Sequence, residues 1–412
     1  MRLFMILIAA LYAAPAFAQR VDLPATEKVA DALDHHPNVA AAAARLTSAR
    51  ARASMLATGS HELMLSGSYF RRSIDQDRTY DEFDTTLSRA VRLPGKAALD
   101  REAGALSVEV AQNQMEDMRH QTSLILSGLW HDWITAGTHY RNDLDTVDGL
   151  EAAVNSIRRR LALRDAAQLD LDQALAAVAQ ARAQAAASLS AREQARVTLA
   201  ASFPEIPLQS EPVELAPPLL PNVDLQALRD LVVSRSHEIR AADREAQRLE
   251  VLSRRARADR LPDPTVGVRL FSERGGAETG VGVVASIPLG GGYRRAAGEE
   301  AAALANAAKL ELAAVRREIQ AVADTDLSNA RTKLQAWRSA DAAARSAADA
   351  VARTGRGYEA GQLDLADLLY ARRQANDARR IEIDARSEAD RALLKIQIDS
   401  HTVWAPDEEE EQ

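Results

Sequence analysis

Asp364 and Asp367 stand three residues apart in Gly361-Gln362-Leu363-Asp364-Leu365-Ala366-Asp367, at the start of a helix-forming run. At helical spacing the two carboxylates share a face. Acidic groups in a first turn also suit the helix dipole, so N-terminal stabilisation is the plainer use of the pair. Repeated around a ring of identical chains, one inward carboxylate per chain becomes a ring of negative charge. Such a ring favours cations and resists anions. Asp170 and Asp172 occupy the similar stretch of the first half, Ala167-Gln168-Leu169-Asp170-Leu171. No enzymatic constellation competes with this reading: there is no serine elbow, phosphate loop or His-Glu-x-x-His pattern. Gly290-Gly291-Gly292 precedes a helix, a weak anion-site cue, and reads better as a tight exit from a strand. His35-His36, His120, His131 and His139 lack acidic or cysteine partners at ligand spacing. A tetrahedral site needs about four ligands, so neither metal nor cofactor is expected. His131-Asp132 reads as a helix-surface pair, and no enzymatic activity is expected.

The elements that carry these residues come twice. Gly67 pairs with Gly267, the Gly95 turn with Gly290-Gly291-Gly292, and His36-Pro37-Asn38-Val39 loosely with Ser236-His237-Glu238-Ile239. Ala167-Gln168-Leu169-Asp170-Leu171 pairs with Gly361-Gln362-Leu363-Asp364-Leu365, setting Ala167 against Gly361 and Gln173 against Asp367. Each repeat is about half the chain, too long for a solenoid unit, so the pattern is one duplicated half-protein. The first structural repeat covers residues 19–202 and the second 224–402. Between them, 203–223 form a proline-rich linker. Six prolines from Pro204 to Pro221 exclude helix there and favour an extended connector.

Helical signal dominates both halves. Leu99, Ala103, Leu106 and Val110 step by 4, 3 and 4, the seam of a coiled coil. No proline interrupts 95–164, and 294–357 behaves alike. Roughly 65 helical residues would span roughly 95–100 Å. Further helices are expected over 26–58, 169–201, 224–260 and 363–401.

Each half also carries a strand pair, at about 62–71 and 82–92, then 265–271 and 279–288. In 62–71, Leu63, Leu65, Gly67 and Tyr69 face one way and Met64, Ser66, Ser68 and Phe70 the other. About ten residues with one apolar and one polar face is the weak signature of an outer-membrane barrel strand, and a soluble hairpin with one face on a core is the alternative; finding the hairpin twice between very long helices favours the barrel. Four strands cannot close such a barrel, and lipid tolerates no open sheet edge. Three copies would supply twelve strands and twelve main helical runs. Tyr69, Phe70, Tyr80, Phe83 and Phe271 are candidates for the membrane-interface belt. Trp130 and Trp133 lie roughly 50 Å along the helix from the strand-end turn, so they are expected to pack between helices.

Residues 1–18 read as a signal peptide: Arg2, an apolar run, then Ala16-Phe17-Ala18 for cleavage. The chain has no cysteine, hence neither disulfides nor a lipid-anchor cysteine. Part of the net charge of −8 comes from the acidic tail, 403–412, expected to be disordered. The mildly acidic body argues against nucleic-acid binding.

In this order, and twice over, these motifs resemble the outer-membrane factor (TolC-like) family. Ala30-Asp31-Ala32-Leu33 with His36-Pro37-Asn38-Val39 looks like the opening of a family repeat. Leu93-Pro94-Gly95-Lys96 and Pro288-Leu289-Gly290-Gly291-Gly292 look like its strand-exit turns. Tyr358-Glu359-Ala360-Gly361-Gln362-Leu363-Asp364-Leu365-Ala366-Asp367-Leu368-Leu369 looks like its periplasmic helix–turn–helix tip. The resemblance implies a mainly α fold with a small β part, in duplicated helix–strand–strand–helix halves. It implies a homotrimer whose twelve-stranded outer-membrane β-barrel continues into a long periplasmic α-helical barrel. The implied function is a passive exit duct of a tripartite efflux pump. Its partners would be a periplasmic membrane-fusion adaptor, an inner-membrane transporter and outer-membrane lipid. Asp367 then stands where the closed tip constricts, with Asp364, Asp170 and Asp172 as further gate residues. Ala360, Gly361 and Gln362, with Ala166, Ala167 and Gln168, are the expected adaptor-docking turns. Leu93-Pro94-Gly95-Lys96 and Leu261-Pro262-Asp263-Pro264 look most like the heavy-metal (cobalt–zinc–cadmium type) efflux branch, whereas Ile287-Pro288-Leu289-Gly290-Gly291-Gly292 is more like the drug-efflux form. A drug-efflux or type I secretion channel is therefore an alternative. A soluble periplasmic coiled-coil adaptor is the rival class.

Overall fold

The computed structural model describes residues 23–404; the expected signal peptide and the tail beyond Trp404 lie outside the described residues. The helices are α1 (Thr26–His35), α2 (Pro37–Thr58), α3 (Lys96–Ala162), α4 (Gln168–Ser202), α5 (Leu225–Arg235), α6 (His237–Ala258), α7 (Gly292–Glu359) and α8 (Leu365–Asp399). The strands are β1 (Leu63–Ser73), β2 (Thr79–Ala90), β3 (Thr265–Glu273) and β4 (Glu278–Ser286). The chain folds as two compact units, and each draws on both sequence halves.

One unit holds residues 23–36, 123–225 and 326–404. Its core gathers Leu126, Trp130, Trp133 and Ile134 of α3, Leu33 of α1, Leu199 of α4, and Ile383, Leu394 and Ile398 of α8. Phe203, Ile206 and Leu215 of the proline-rich segment close over it. The spacing 126, 130, 133 explains why this stretch stays helical and which side it buries. Trp130 and Trp133 meet edge to face, with centroids 5.2 Å apart.

The other unit holds residues 37–122 and 226–325 and contains the sheet. Its order is β1-β2-β3-β4, antiparallel throughout, so the central β2–β3 pair joins the two halves of the sequence. Tyr69 faces Phe83, Leu87 faces Val268, and Val268 faces Val283.

Two of the expected helices are broken. The expected helix at 26–58 stops at His36, whose ψ of 133° is extended. Pro37 causes this, because its ring excludes helical geometry at the preceding residue while suiting a first helical position itself. The expected helix at 224–260 breaks at Ser236, whose ψ is 122° and whose side chain accepts the Ile239 N–H at 3.1 Å. The loose sequence match between these two sites therefore marks equivalent breaks.

Candidate functional site

Two helical hairpin turns, the sheet and the turns that lead out of it carry the residues picked out by the sequence. At the second hairpin, α7 ends with Gly361 at φ +68°. Its N–H donates to the Tyr358 carbonyl at 3.1 Å, and that of Gln362 to Gly357 at 2.9 Å. This is a Schellman ending, and glycine takes the left-handed position without strain. Asp364 then caps α8: its carboxylate accepts the Asp367 N–H at 2.9 Å, and Asp367 accepts the Asp364 N–H at 3.4 Å. Both acids are exposed, so the reciprocal cap leaves each charge open to solvent.

The first hairpin repeats the geometry with other residues. Arg164 takes the left-handed position at φ +61°. Its N–H donates to Leu161 at 3.0 Å, and that of Asp165 to Arg160 at 2.8 Å. Ala167 sits at the cap of α4 and has no acceptor side chain. Asp170 alone supplies half of the reciprocal cap, accepting the Ala167 N–H at 3.0 Å. The equivalences are thus Arg164 with Gly361, Ala167 with Asp364, and Asp170 with Asp367. The sequence alignment of Ala167 with Gly361, and of Gln173 with Asp367, is three residues out of phase. Gln-Leu-Asp-Leu recurs in both halves, but at different points of the turn. Asp172 falls opposite Leu369 and binds Gln168 Nε2 at 2.9 Å. Ala166, Ala167 and Gln168 lie past the first apex, whereas Ala360, Gly361 and Gln362 span the second. The counterpart of that second apex is Leu163-Arg164-Asp165, which sequence reading missed.

The hairpins belong to one unit and pack through Leu150, Val154, Ile157, Ala174, Val178 and Leu365. Arg160 lies over the Tyr358 ring at 5.2 Å. Beside this core a cavity of about 610 Å³ opens between α3, α4 and α8. α8 is fastened across it to α3. Arg372 donates to the Gly149 carbonyl at 2.9 Å, and Arg380 to both oxygens of the buried Asp143 at 2.7 and 2.9 Å.

The histidines take other partners. His131 and Asp390 are fully buried together: Nδ1 donates to the Ser127 carbonyl at 2.8 Å and Nε2 lies 3.0 Å from Asp390 Oδ2. The expected surface pair His131-Asp132 is corrected, since Asp132 turns to Arg391 instead. One helical step separates adjacent residues by about 100°, which puts 131 inward and 132 outward. Among the described residues, no group of three or more His, Asp or Glu is placed to hold a metal ion.

In the other unit, strand alternation sorts the sheet into two faces. Leu63, Leu65, Tyr69, Phe83, Leu87, Val266, Val268, Leu270, Val281 and Val283 share one face by register, and all are exposed. The opposite face carries Ser66, Ser68, Thr86 and Ser88, with Arg72 paired to Glu82 at 2.6 Å and Arg269 paired to Asp84. The aromatic belt expected from sequence divides accordingly. Tyr69 and Phe83 lie on the apolar face, with ring centroids 5.3 Å apart. Phe70, Tyr80 and Phe271 lie on the opposite face. Phe271 covers Gly280, where a Cβ would come within 2.3 Å of its ring. β1 and β4 each pair on one side only among the described residues.

Where the sheet gives way to helix, Gly95 and Gly290 take φ +89° and +99°. Gly291 follows, and Gly292 is already the first residue of α7. Two motifs that sequence reading kept apart meet here. Lys96, only 2 % exposed, donates to the Leu261 carbonyl at 2.7 Å and to Asp263 at 2.9 Å. Asp263 also accepts the Leu93 N–H at 2.9 Å. Burial works to raise the Asp263 carboxyl, but Lys96, the Leu93 N–H and His61 outweigh it and hold it below its ordinary value.

Broken helices flanking an antiparallel sheet, two long helices and two hairpin turns, all duplicated, make up the fold of outer-membrane channel proteins. OprN, described as an outer-membrane channel, superposes with a TM-score of 0.79 at 20% identity, over 92% of this chain and 91% of that one. CusC, described as forming a transmembrane channel, gives 0.76 at 15% identity, over 92% of each chain. VceC, an outer membrane protein of Vibrio cholerae, gives 0.72 at 18% identity, over 92% of this chain and 95% of that one. No protein-family model and no curated protein matches the sequence. At these identities the likeness is one of fold.

Proposed function

We propose that the chain is an outer-membrane factor: a homotrimeric channel of a Gram-negative outer membrane, reaching into the periplasm, that serves as the passive exit duct of a tripartite efflux pump. The observation that carries this reading is the sheet. It exposes an apolar face that charge interrupts only toward its ends, at Arg71, Asp81 and Arg89, and among the described residues its two outer strands each pair on one side only. Water gives such a face no reason to stay exposed, whereas lipid does. Lipid also forbids the open edges, so β1 of one copy must pair with β4 of the next. Three copies supply twelve strands, with Tyr69 and Phe83 in the interface belt. Among the described residues, no helix is long and apolar enough to cross a membrane. A soluble adaptor would have no use for this face.

The chain itself does no chemistry; the energy comes from an inner-membrane transporter joined through a periplasmic adaptor. Asp364 and Asp367, with Asp170 and Asp172, form the acidic aperture. Heavy-metal cations are the favoured cargo, because an acidic ring suits them and the Leu93–Lys96 and Leu261–Pro264 motifs are built into one network.

Fractionation and planar-bilayer conductance of the mature protein test the proposal. Recovery in the outer-membrane fraction with cation-selective conductance is expected. Asp364→Asn with Asp367→Asn keeps the helix cap while removing both charges, and should lower the cation preference. A soluble monomer without conductance contradicts the channel, and unchanged selectivity contradicts the gate.

A further inference from the structure

The cavity between α3, α4 and α8 holds a positive charge that its own lining does not balance. Arg372 reaches across it from α8 and is half-buried. A guanidinium carries five N–H donors. Among the described residues Arg372 uses Nη1, on the Gly149 carbonyl at 2.9 Å, and no carboxylate pairs with it. Burial alone acts on this guanidinium and lowers it from its ordinary value. Arg373 also lines the cavity and has no ion pair among the described residues. Arg380 shows the contrast, because Asp143 takes its charge at 2.7 and 2.9 Å. The other acid of the lining, Asp377, is exposed. Three arginines therefore stand against two aspartates, and a partly dehydrated cation is left without an anion. Such a group costs free energy until an anion reaches it.

The neighbouring groups suit an anion with an apolar body. Asn376 accepts the Asn142 amide on Oδ1 at 2.8 Å, and its own Nδ2 has no acceptor among the described residues. Arg372, Arg373 and Asn376 share a face of α8, being three and four residues apart. The apolar part of the lining is Leu150 of α3, Ala177 of α4 and Leu369 of α8, all packed on the hairpin core. About 610 Å³ is the size of a small-molecule site, and a small inorganic ion would leave that apolar wall wet.

We propose that this cavity binds an organic monocarboxylate, with its carboxylate on Arg372, Arg373 and the Asn376 amide and its apolar body against Leu150, Ala177 and Leu369. One negative charge matches the one positive charge left over, and a carboxylate fits the guanidinium fork in its plane. The occupant touches α3, α4 and α8 together, so it favours the state in which these helices stand around it. The site belongs to one compact unit and does not depend on the channel reading.

Isothermal titration calorimetry of the full-length mature protein in detergent, blanked against empty micelles, tests this with naphthoate as the probe. The native protein should bind naphthoate. It should bind neither acetate, which has the charge without the rings, nor naphthylmethylammonium, which has the rings with the opposite charge. Arg372→Gln with Arg373→Gln should weaken binding by about tenfold or more. Ala176→Trp, at an exposed position of the α4 wall, should fill the cavity and abolish binding without altering any charge. Arg331→Gln with Arg338→Gln, at exposed sites on α7, should leave the affinity unchanged. Naphthoate should also raise the melting midpoint of the native protein, and the rise should vanish in Ala176→Trp. No binding by the native protein, equal binding of the ammonium, or an affinity that survives either cavity variant would overturn the site.

Discussion

Asp364 and Asp367 answer two demands with the same atoms. Their reciprocal hydrogen bonds close the start of α8, and their carboxylates stay exposed, as the proposed aperture requires. The first hairpin shows the cap half-built, with Asp170 in place and Ala167 where an acceptor would stand. Capping energies near 1 kcal/mol per site follow from a satisfied N–H. Asp364→Ala should therefore lower the thermal unfolding midpoint, while Ala167→Asp should raise it by a similar increment. Circular-dichroism melts of the two variants check this, and no change in either would show that these caps carry no stability. The sequence made Asp364 and Asp367 visible because acids in a first turn are a local signal. Arg164 was invisible, because a left-handed backbone at a non-glycine residue leaves no mark in composition. The repeated Gln-Leu-Asp-Leu misled for a physical reason: identical letters can serve a cap in one turn and a helix face in the next.

At the scale of elements, local rules placed the strands and the two long helices, but the helix breaks and clasps depend on what lies across the fold. Pro37 announces its break, whereas Ser236 becomes one only by capping α6. Arg380 and Arg372 read as ordinary surface residues of a helix; only the packed structure brings them to Asp143 and Gly149. Movement of α8 away from α3 must break these bonds. Arg372→Ala with Arg380→Ala should therefore raise the open probability in bilayer recordings, and unchanged gating would move the latch elsewhere. A second clasp responds to pH. Burial first, then the neighbouring Asp399, pushes Asp326 of α7 up to about 7, although Lys395 works against this. Lys395 Nζ lies 2.8 Å from Asp326 and also pairs with Asp399. Because the folded-state value is raised, the folded chain holds a proton that the unfolded chain has released. That stabilisation is complete below the unfolded carboxyl value, near 4, and is lost as pH rises through about 7. The melting midpoint of the native protein should fall between about pH 5 and pH 7 and level off above that, and Asp326→Asn should flatten the decline. An equal slope in both proteins would remove Asp326 as the cause.

At the scale of the whole molecule, the duplication has a physical consequence. Two halves meet through β2 and β3, where Gly267 lets the strands approach; a Cβ there would come within 2.6 Å of the Leu87 carbonyl. That leaves one open edge at each side of the four-stranded sheet. The two-faced alternation of the strands was readable as a pattern, but the face on which Phe70, Tyr80 and Phe271 lie needed the register. Closure through the edges is the central claim, and the absence of native cysteine makes it directly measurable. A cysteine at Leu65 of β1, combined in turn with one at Thr279, Val281 or Val283 of β4, places both thiols on the apolar face. Oxidised in outer membranes and run without reductant, at least one pair should give a ladder of dimer and covalent trimer that ends at three. Monomer alone from every pair, or a ladder that continues past three, would contradict the closed trimer.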